Sequence, residues 1–357
     1  MSTLARYLAG QILIAVGFVL LALLVLFAFF DVIQELDQLG HNGYGLVQIA
    51  LFTALNMPGH VYEILPVAAL IGTLFALARL VANSEYSVMR VSGLSNWRVA
   101  GYFALLGSVL ALLALALGEY VSPWTDQAAQ RLRLTAIQSL VAQQFRSGLW
   151  VKDGHNFINA REVMPNNTLS DVNMYEFDGE GRLTLIRRAE RATWKTAQTW
   201  DLANVVETRF DASGVHAVSF PSQPWRSVLS QDMLSVLLIA PEKMSARTLY
   251  SYVGHLQKNG QKAGRYEIAL WAKLINPLAI PVMMLLALPF ALRSPRGGGA
   301  STQVFVGILV GLGFHLLNRL FGHLGLLNDW PPLAASSLPL IVFLIFALSG
   351  IKWADRR

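Results

Sequence analysis

Six apolar runs, near residues 11–32, 60–81, 100–121, 267–291, 301–323 and 333–352, are each about the length that crosses a bilayer. They constrain the chain more than any other feature. Hydrocarbon offers backbone groups no partner, so each run must be helical. The first run is too long for the apolar part of a secretory signal and lacks a small-residue cleavage site, so it is read as a span. Composition agrees, because 54% of the 357 residues are hydrophobic and 14% are charged, where an average soluble domain has about 25% charged.

Basic residues set the expected orientation. If the spans alternate, Arg6, Arg79, Arg90, Arg98, Arg293, Arg296, Lys352, Arg356 and Arg357 fall on one side, while 33–58 and 324–331 contain no Lys or Arg. Both termini are therefore expected in the cytoplasm. The net charge of +6 follows in part from this asymmetry and implies no nucleic-acid partner.

Residues 122–262 interrupt the apolar pattern on the opposite side. "GLWVKDGHNFINAREV", "VNMYEFDGEGRLTLIRR" and "WDLANVVETRFDASGVHAVSF" each place two extended runs around a turn at Asp153-Gly154, "DGEG" or "DASG". This spacing predicts an all-β sandwich or jelly roll. A return helix is predicted from Ala246 to Lys258, stopped by Gly260. The organisation is thus spans one to three within 1–121, a β domain over 122–262, and spans four to six within 263–357. The absence of cysteine means no disulfides, and about 140 residues can bury a core without them.

Between spans two and three, "NSEYSVMRVSGLSNW" reads as a separate short helix over 84–92. Asn83 or Ser84 is placed to cap it, Gly93 to end it, and Ser95 to cap the next. Glu85 and Met89, four residues apart, share a face, and Val88 and Val91 form a second apolar strip. So short a helix needs packing to persist.

No motif for catalysis is present. "RSPRGGGAST" has glycines but no lysine at the phosphate-loop offset and reads as a flexible cytoplasmic turn. H-E-x-x-H, G-x-S-x-G and thiolate sites are absent, so no catalytic residue and no metal site is expected. Ionisable residues inside the spans say more, since each is costly in hydrocarbon. His315, Arg319 and His323 share one face of span five; Glu63, Glu119, Arg265, Glu267 and Lys273 lie toward the same outer end, with Arg131 and Arg133 just beyond span three. Together they suggest a polar rim around an apolar interior, suited to an amphiphile with an anionic head. Pro277, Pro281 and Pro289 are expected to interrupt span four.

"NSEYSVMRVSG", "GEYVSP", "GLWVKDGHNFINAREV" and "YSYVGHLQKNGQKAGRYEIALWAKLINPLAIPVMMLLALPF" resemble the lipopolysaccharide-transport permease family of the LptF/LptG type, on its LptG side, over nearly the whole chain. The resemblance implies six transmembrane helices with an inserted periplasmic β-jelly roll, and extraction of lipopolysaccharide from the inner membrane toward a periplasmic bridge. It also implies a heterodimer with an LptF paralogue, an LptB ATPase dimer that uses ATP and Mg, LptC at the side, and no cofactor bound by this chain. Residues 84–92 then become a coupling helix seated in the ATPase through Glu85, Val88, Met89 and Val91. Lipid phosphates are assigned, from charge and depth, to Arg131, Arg133, Arg265, Lys273, His315 and Arg319. The stretch "FFDVIQELDQLG" departs from the family pattern, being acidic where basic residues can hold phosphate. Two other classes share parts of this pattern. A mechanotransmitting ABC subunit would carry no substrate itself, and a secondary transporter would need no ATPase.

Overall fold

The computed structural model describes residues 3–40, 44–136, 149–153, 156–163, 168–196, 199–211, 214–227, 240–292 and 300–356. Six helical stretches among them are long and apolar enough to cross a membrane: Thr3–Leu36, Leu46–Ala82, Asn96–Arg133, Gly264–Leu292, Thr302–Leu327 and Pro332–Asp355. They cover the six apolar runs, all but Ser301 of the fifth, and extend beyond them, because helix continues into polar flanks where hydropathy falls.

Span one is α1 (Thr3–Leu36), span two α2 (Leu46–Ala82), and the short helix between spans two and three is α3 (Glu85–Val91). Span three begins as α4 (Asn96–Ala116), passes through a π-helical turn at Leu117–Val121, and continues as α5 (Ser122–Ala136). After the sheet come the return helix α6 (Ala246–Lys258) and span four, which a 3₁₀ turn at Asn276–Leu278 divides into α7 (Gly264–Ile275) and α8 (Ala279–Leu292). Pro277 sits in that break, as its missing N–H donor requires, whereas α8 continues through Pro281 and Pro289, which were expected to interrupt the span as well. Spans five and six are α9 (Ala300–Leu327) and α10 (Pro332–Asp355). The turn expected from "RSPRGGGAST" falls on 293–299, outside the described residues.

Helices α2 and α8 form the centre of the bundle. Leu70, Leu74, Leu77 and Leu80 of α2 meet Met283, Met284 and Leu288 of α8, with Ile12 of α1 and Phe103 of α4 closing the core. A helix buried on every side needs no polar face, which is why α2 is apolar all round. The outer helices α1, α4, α9 and α10 keep broad apolar faces exposed, including Phe18, Leu112, Leu309 and Phe346.

Both chain termini and α3 lie at one end of the bundle. Tyr7 of α1 bonds Glu85 of α3, and Asn96 Nδ2 at the start of α4 reaches the Ala354 carbonyl at 3.5 Å. The return segment to α6 docks on the opposite end. These are called the termini end and the sheet end below.

Strands β1 (Leu149–Asp153), β2 (Asn156–Val163), β3 (Leu169–Phe177), β4 (Leu183–Thr196), β5 (Thr199–Asp211) and β6 (Gly214–Arg226) form one antiparallel sheet in chain order. At "DGEG", Asp178 accepts from the Glu180 and Arg182 amides at 2.9 and 2.8 Å. The tips at 154–155 and 212–213 lie outside the described residues, but the flanking strands pair as the turn signals predict. The inserted β domain is therefore present as a six-stranded meander among the described residues, and a jelly-roll closure is not seen in them.

Its buried face carries Ile158, Val172, Met174, Trp200, Leu202 and Val205. Strict alternation would put Val205 and Glu207 on the other face from Trp200 and Leu202. Asn204, at φ 52°, inserts one extra residue into the alternation and keeps all four inward. Asp171, at φ 48°, does the same between Leu169 and Val172.

Candidate functional site

At the termini end the site is α3. Gly93, at φ 90°, ends it, and Ser95 Oγ accepts the Arg98 amide of α4 at 3.3 Å, both as read from the sequence. The start differs. Ser84 holds the cap position at φ 61° without a side-chain cap bond, and Asn83 Nδ2 reaches the Glu85 side chain at 3.4 Å instead. What holds the helix is tertiary. Buried Tyr86 donates to Asn96 Oδ1 at 2.9 Å, and burial pushes its phenol up to about 12, so it remains a donor.

The four coupling candidates divide between two faces. Glu85 is half-buried and accepts from Tyr7 Oη at 2.7 Å, which ties α3 to α1. Met89 packs partly against the bundle core. Val88 and Val91, 64% and 90% exposed, face outward. An apolar pair so exposed on a held helix is available to a partner groove.

At the sheet end the six lipid candidates are not equivalent. Arg133 of α5 pairs with Glu35 of α1 at 3.3 Å and lies 5.8 Å over the Phe52 ring. Arg265 of α7 faces Glu242 at 3.8 Å. Lys273 is only 5% exposed; its ammonium donates to the Met244 carbonyl, lies 5.5 Å over the Tyr62 ring, and sits in the field of the Glu119, Asp126 and Glu63 carboxylates. Arg131 is exposed and has interactions of its own. His315 is half-buried on α9, facing Arg319 and Glu63, while Arg319 is exposed and has no hydrogen-bond or carboxylate partner among the described residues.

Lys273 belongs to a junction that charge and depth do not reveal. The π-helical turn presents the Glu119 carboxylate to the first amides of α6, accepting from Ala246 at 2.7 Å and Arg247 at 3.2 Å. Asp126 of α5 accepts from Ser122 at 3.0 Å and lies 3.9 Å from Lys243. Together with Lys273 and Arg265, these contacts fasten residues 242–247, where the chain returns from the sheet, to spans three and four. Lys273→Met is expected to loosen that junction, leaving the Met244 carbonyl without its donor and the buried Asp126 with less compensating positive charge. Limited proteolysis of the intact protein should show faster cleavage near 240–247.

The acidic stretch ending span one also has a structural account. Asp31 accepts from His60 of α2 at 2.8 Å, and Glu35, 3% exposed, pairs with Arg133 and accepts from Tyr44 Oη at 3.2 Å. His60 has no place in the sequence-based set. The available signal was an acid in span one and a base in span two at similar depth, since two such groups in hydrocarbon are expected to find each other.

The family model for the lipopolysaccharide export system permease LptF/LptG matches residues 6–353. The chain belongs to the LptF/LptG family. Two relatives, the lipopolysaccharide export system permease proteins LptG of Haemophilus influenzae and Escherichia coli K12, are 29% and 31% identical to it. They align over 345 and 347 residues, 96% and 97% of this chain and 96% of each relative. The match spans both three-helix halves and the sheet, so the features described at both ends belong to one LptF/LptG-type subunit. It is a multi-pass inner-membrane protein.

Proposed function

We propose that this subunit is the LptG-type permease of an ATP-driven exporter that lifts lipopolysaccharide from the inner membrane and passes it to a periplasmic bridge toward the outer membrane. The observation that carries the reading is the family match over residues 6–353. In this reading the termini end, with Arg6, Arg79, Arg90, Arg98 and Lys352, faces the cytoplasm. The sheet stands in the periplasm.

ATP and Mg belong to an LptB dimer docked beneath the membrane. Val88 and Val91 enter its groove, while Glu85 and Met89 carry the displacement into α1 and the core. An LptF paralogue covers apolar helix faces of the bundle, and LptC attaches from the side. Lipid phosphates meet Arg319, with His315 and Arg131 nearby; Arg133, Arg265 and Lys273 shape the rim through their internal contacts. Burying acyl tails gains ~0.8 kcal/mol per CH₂ relative to water, but almost nothing for tails already in lipid, so extraction has to be driven by ATPase work.

Reconstitution of the complete assembly in lipopolysaccharide-containing vesicles tests the reading. ATP should drive release of the glycolipid to a periplasmic acceptor, and its absence there would overturn the proposal. Arg319→Ala should weaken lipopolysaccharide binding about tenfold, the loss of roughly 1.5 kcal/mol from one charge-assisted hydrogen bond. Val88→Asp with Val91→Asp should abolish co-purification of the ATPase while leaving thermal stability unchanged, because both side chains are exposed.

A further inference from the structure

We infer that an anionic phospholipid of the leaflet at the termini end binds across the first turn of α4 and the last turn of α10, and clamps the two turns that hold α3. The inference rests on the orientation and the ATPase docking proposed above.

The two turns are neighbours. Asn96 Nδ2 at the start of α4 reaches the Ala354 carbonyl of α10 at 3.5 Å, and Asn96 Oδ1 accepts from Tyr86 of α3 at 2.9 Å. Asn96 is fully buried, so α3 is held by a polar link that passes through both turns. Behind them, both helices lie tightly on α8. A Cβ on Gly107 of α4 would stand 2.5 Å from the Pro281 Cα, and one on Gly350 of α10 would stand 2.8 Å from the Pro289 Cγ. Close packing on one shared helix therefore fixes α4 and α10 relative to each other.

The residues beside this link are exposed and of two kinds. Trp97 and Trp353, next in the chain to Asn96 and Ala354, are 47% and 41% exposed. Arg98, Lys352 and Arg356 are exposed and make no ion pair among the described residues. The first turn of α4 contains no acid. Asp355, the acid of the α10 turn, lies near enough to Tyr86 of α3 to act on its phenol.

Toward the bundle centre the same faces become apolar. On α4, Gly101 has open space where a Cβ would be, and exposed Leu105 and Leu112 follow it. On α10, exposed Ser349 is succeeded by exposed Phe346 and Ile345. Charge at the helix end, indole rings beside it and apolar surface beyond repeat the order of a lipid: head, glycerol and tails. Zwitterionic lipid would suit the rings and the apolar surface but would leave three cations without counter-charge. Basic residues clustered at a membrane surface favour anionic lipid, each adding to the attraction. A lipid bound there ties the α4 turn to the α10 turn from outside, as Asn96 does from inside.

The complete assembly, placed in phosphatidylcholine nanodiscs with or without phosphatidylglycerol and without lipopolysaccharide, tests the site. Native mass spectrometry should find phosphatidylglycerol retained on the wild type through delipidation. Arg98→Gln with Lys352→Gln and Arg356→Gln should lower its affinity about a hundredfold, while Arg6→Gln, an exposed cation of α1 at the same end, should leave it unchanged. Equal retention by wild type and triple variant would overturn the site. So would an equal loss from Arg6→Gln, which would mean attraction to the whole basic surface, or loss of ATPase co-purification from the triple variant with lipid retention unchanged, which would give the patch to the partner. Phosphatidylglycerol should also raise ATP hydrolysis by the wild-type assembly, and the rise should be lost in the triple variant; no rise in the wild type would overturn the clamp. Lipid retention is read without transport, so failure of the export reading, seen as absent lipopolysaccharide release, stays distinguishable.

Discussion

Gly72→Leu should prevent stable packing of α1 on α2 and cause most of the protein to be lost as aggregate. A Cβ at this position would stand 2.6 Å from the Val16 Cα and amide nitrogen and 2.8 Å from its Cγ2. Backbone cannot move aside as a flexible side chain can, so the helices must separate. Separation would remove Leu8, Ile12 and Val16 from a core they share with Leu70, Leu74 and Leu77. The effect should exceed the roughly 1–3 kcal/mol of ordinary overpacking. Gly72→Ala should already lower the melting temperature, and Gly10→Ala, with nothing within 4 Å of its added carbon, is the control that should not. Size-exclusion profiles recorded after stepwise heating measure all three.

Glu207→Ala should unfold the sheet locally while leaving the spans assembled. Glu207 is 1% exposed, turned inward on β5 by the extra residue at Asn204. It accepts from Arg187 at 2.9 Å, Arg209 at 3.0 Å and Gln223 at 2.9 Å. Removing one member of such a buried pair typically costs roughly 3–5 kcal/mol, because the remaining charge stays buried without compensation. Hydrogen exchange should accelerate in β4, β5 and β6 and be unaltered in α2 and α8.

The same carboxylate makes the sheet acid-sensitive. Burial alone raises its pKa, but the bonds from Gln223, Arg187 and Arg209 outweigh burial and hold it below the ordinary value of 4.5. A carboxyl lowered in the folded state contributes stability above its unfolded pKa, and that contribution fades as pH falls through the folded value. Exchange in β4–β6 of the wild type should therefore quicken below about pH 4.5, and Glu207→Ala should flatten the dependence.

Much of the fold was legible because local chemistry dictates it. Six apolar stretches have one stable form in hydrocarbon. The return helix runs from Ala246 to Lys258, with Gly260 at φ 63° just beyond it as the expected stop. The short helix between Ser84 and Gly93 was readable from its punctuation, although Ser84 makes no side-chain cap bond there. The continuation of span three through a π-helical turn to Ala136 was not, since "GEYVSPWTDQ" carries no sign of a changed hydrogen-bond register.

The candidate site was legible in residue type and not in partner. Arg133 and Lys273 were singled out from charge and depth, and Glu85 from its face on the short helix, yet their surroundings are Glu35, the Met244 carbonyl and Tyr7. Arg319, in contrast, is exposed and meets no hydrogen-bond or carboxylate partner among the described residues.

The sequence by itself determined the solvent, the number of spans, the presence of the sheet and the family, because hydrophobic length, turn chemistry and extended similarity are properties of consecutive residues. Only the tertiary structure decided which charges are engaged and which are open, and that Asp31 meets His60 across two helices. Those pairings depend on helix rotation and depth, which close packing at points such as Gly72 against Val16 sets once the spans come together.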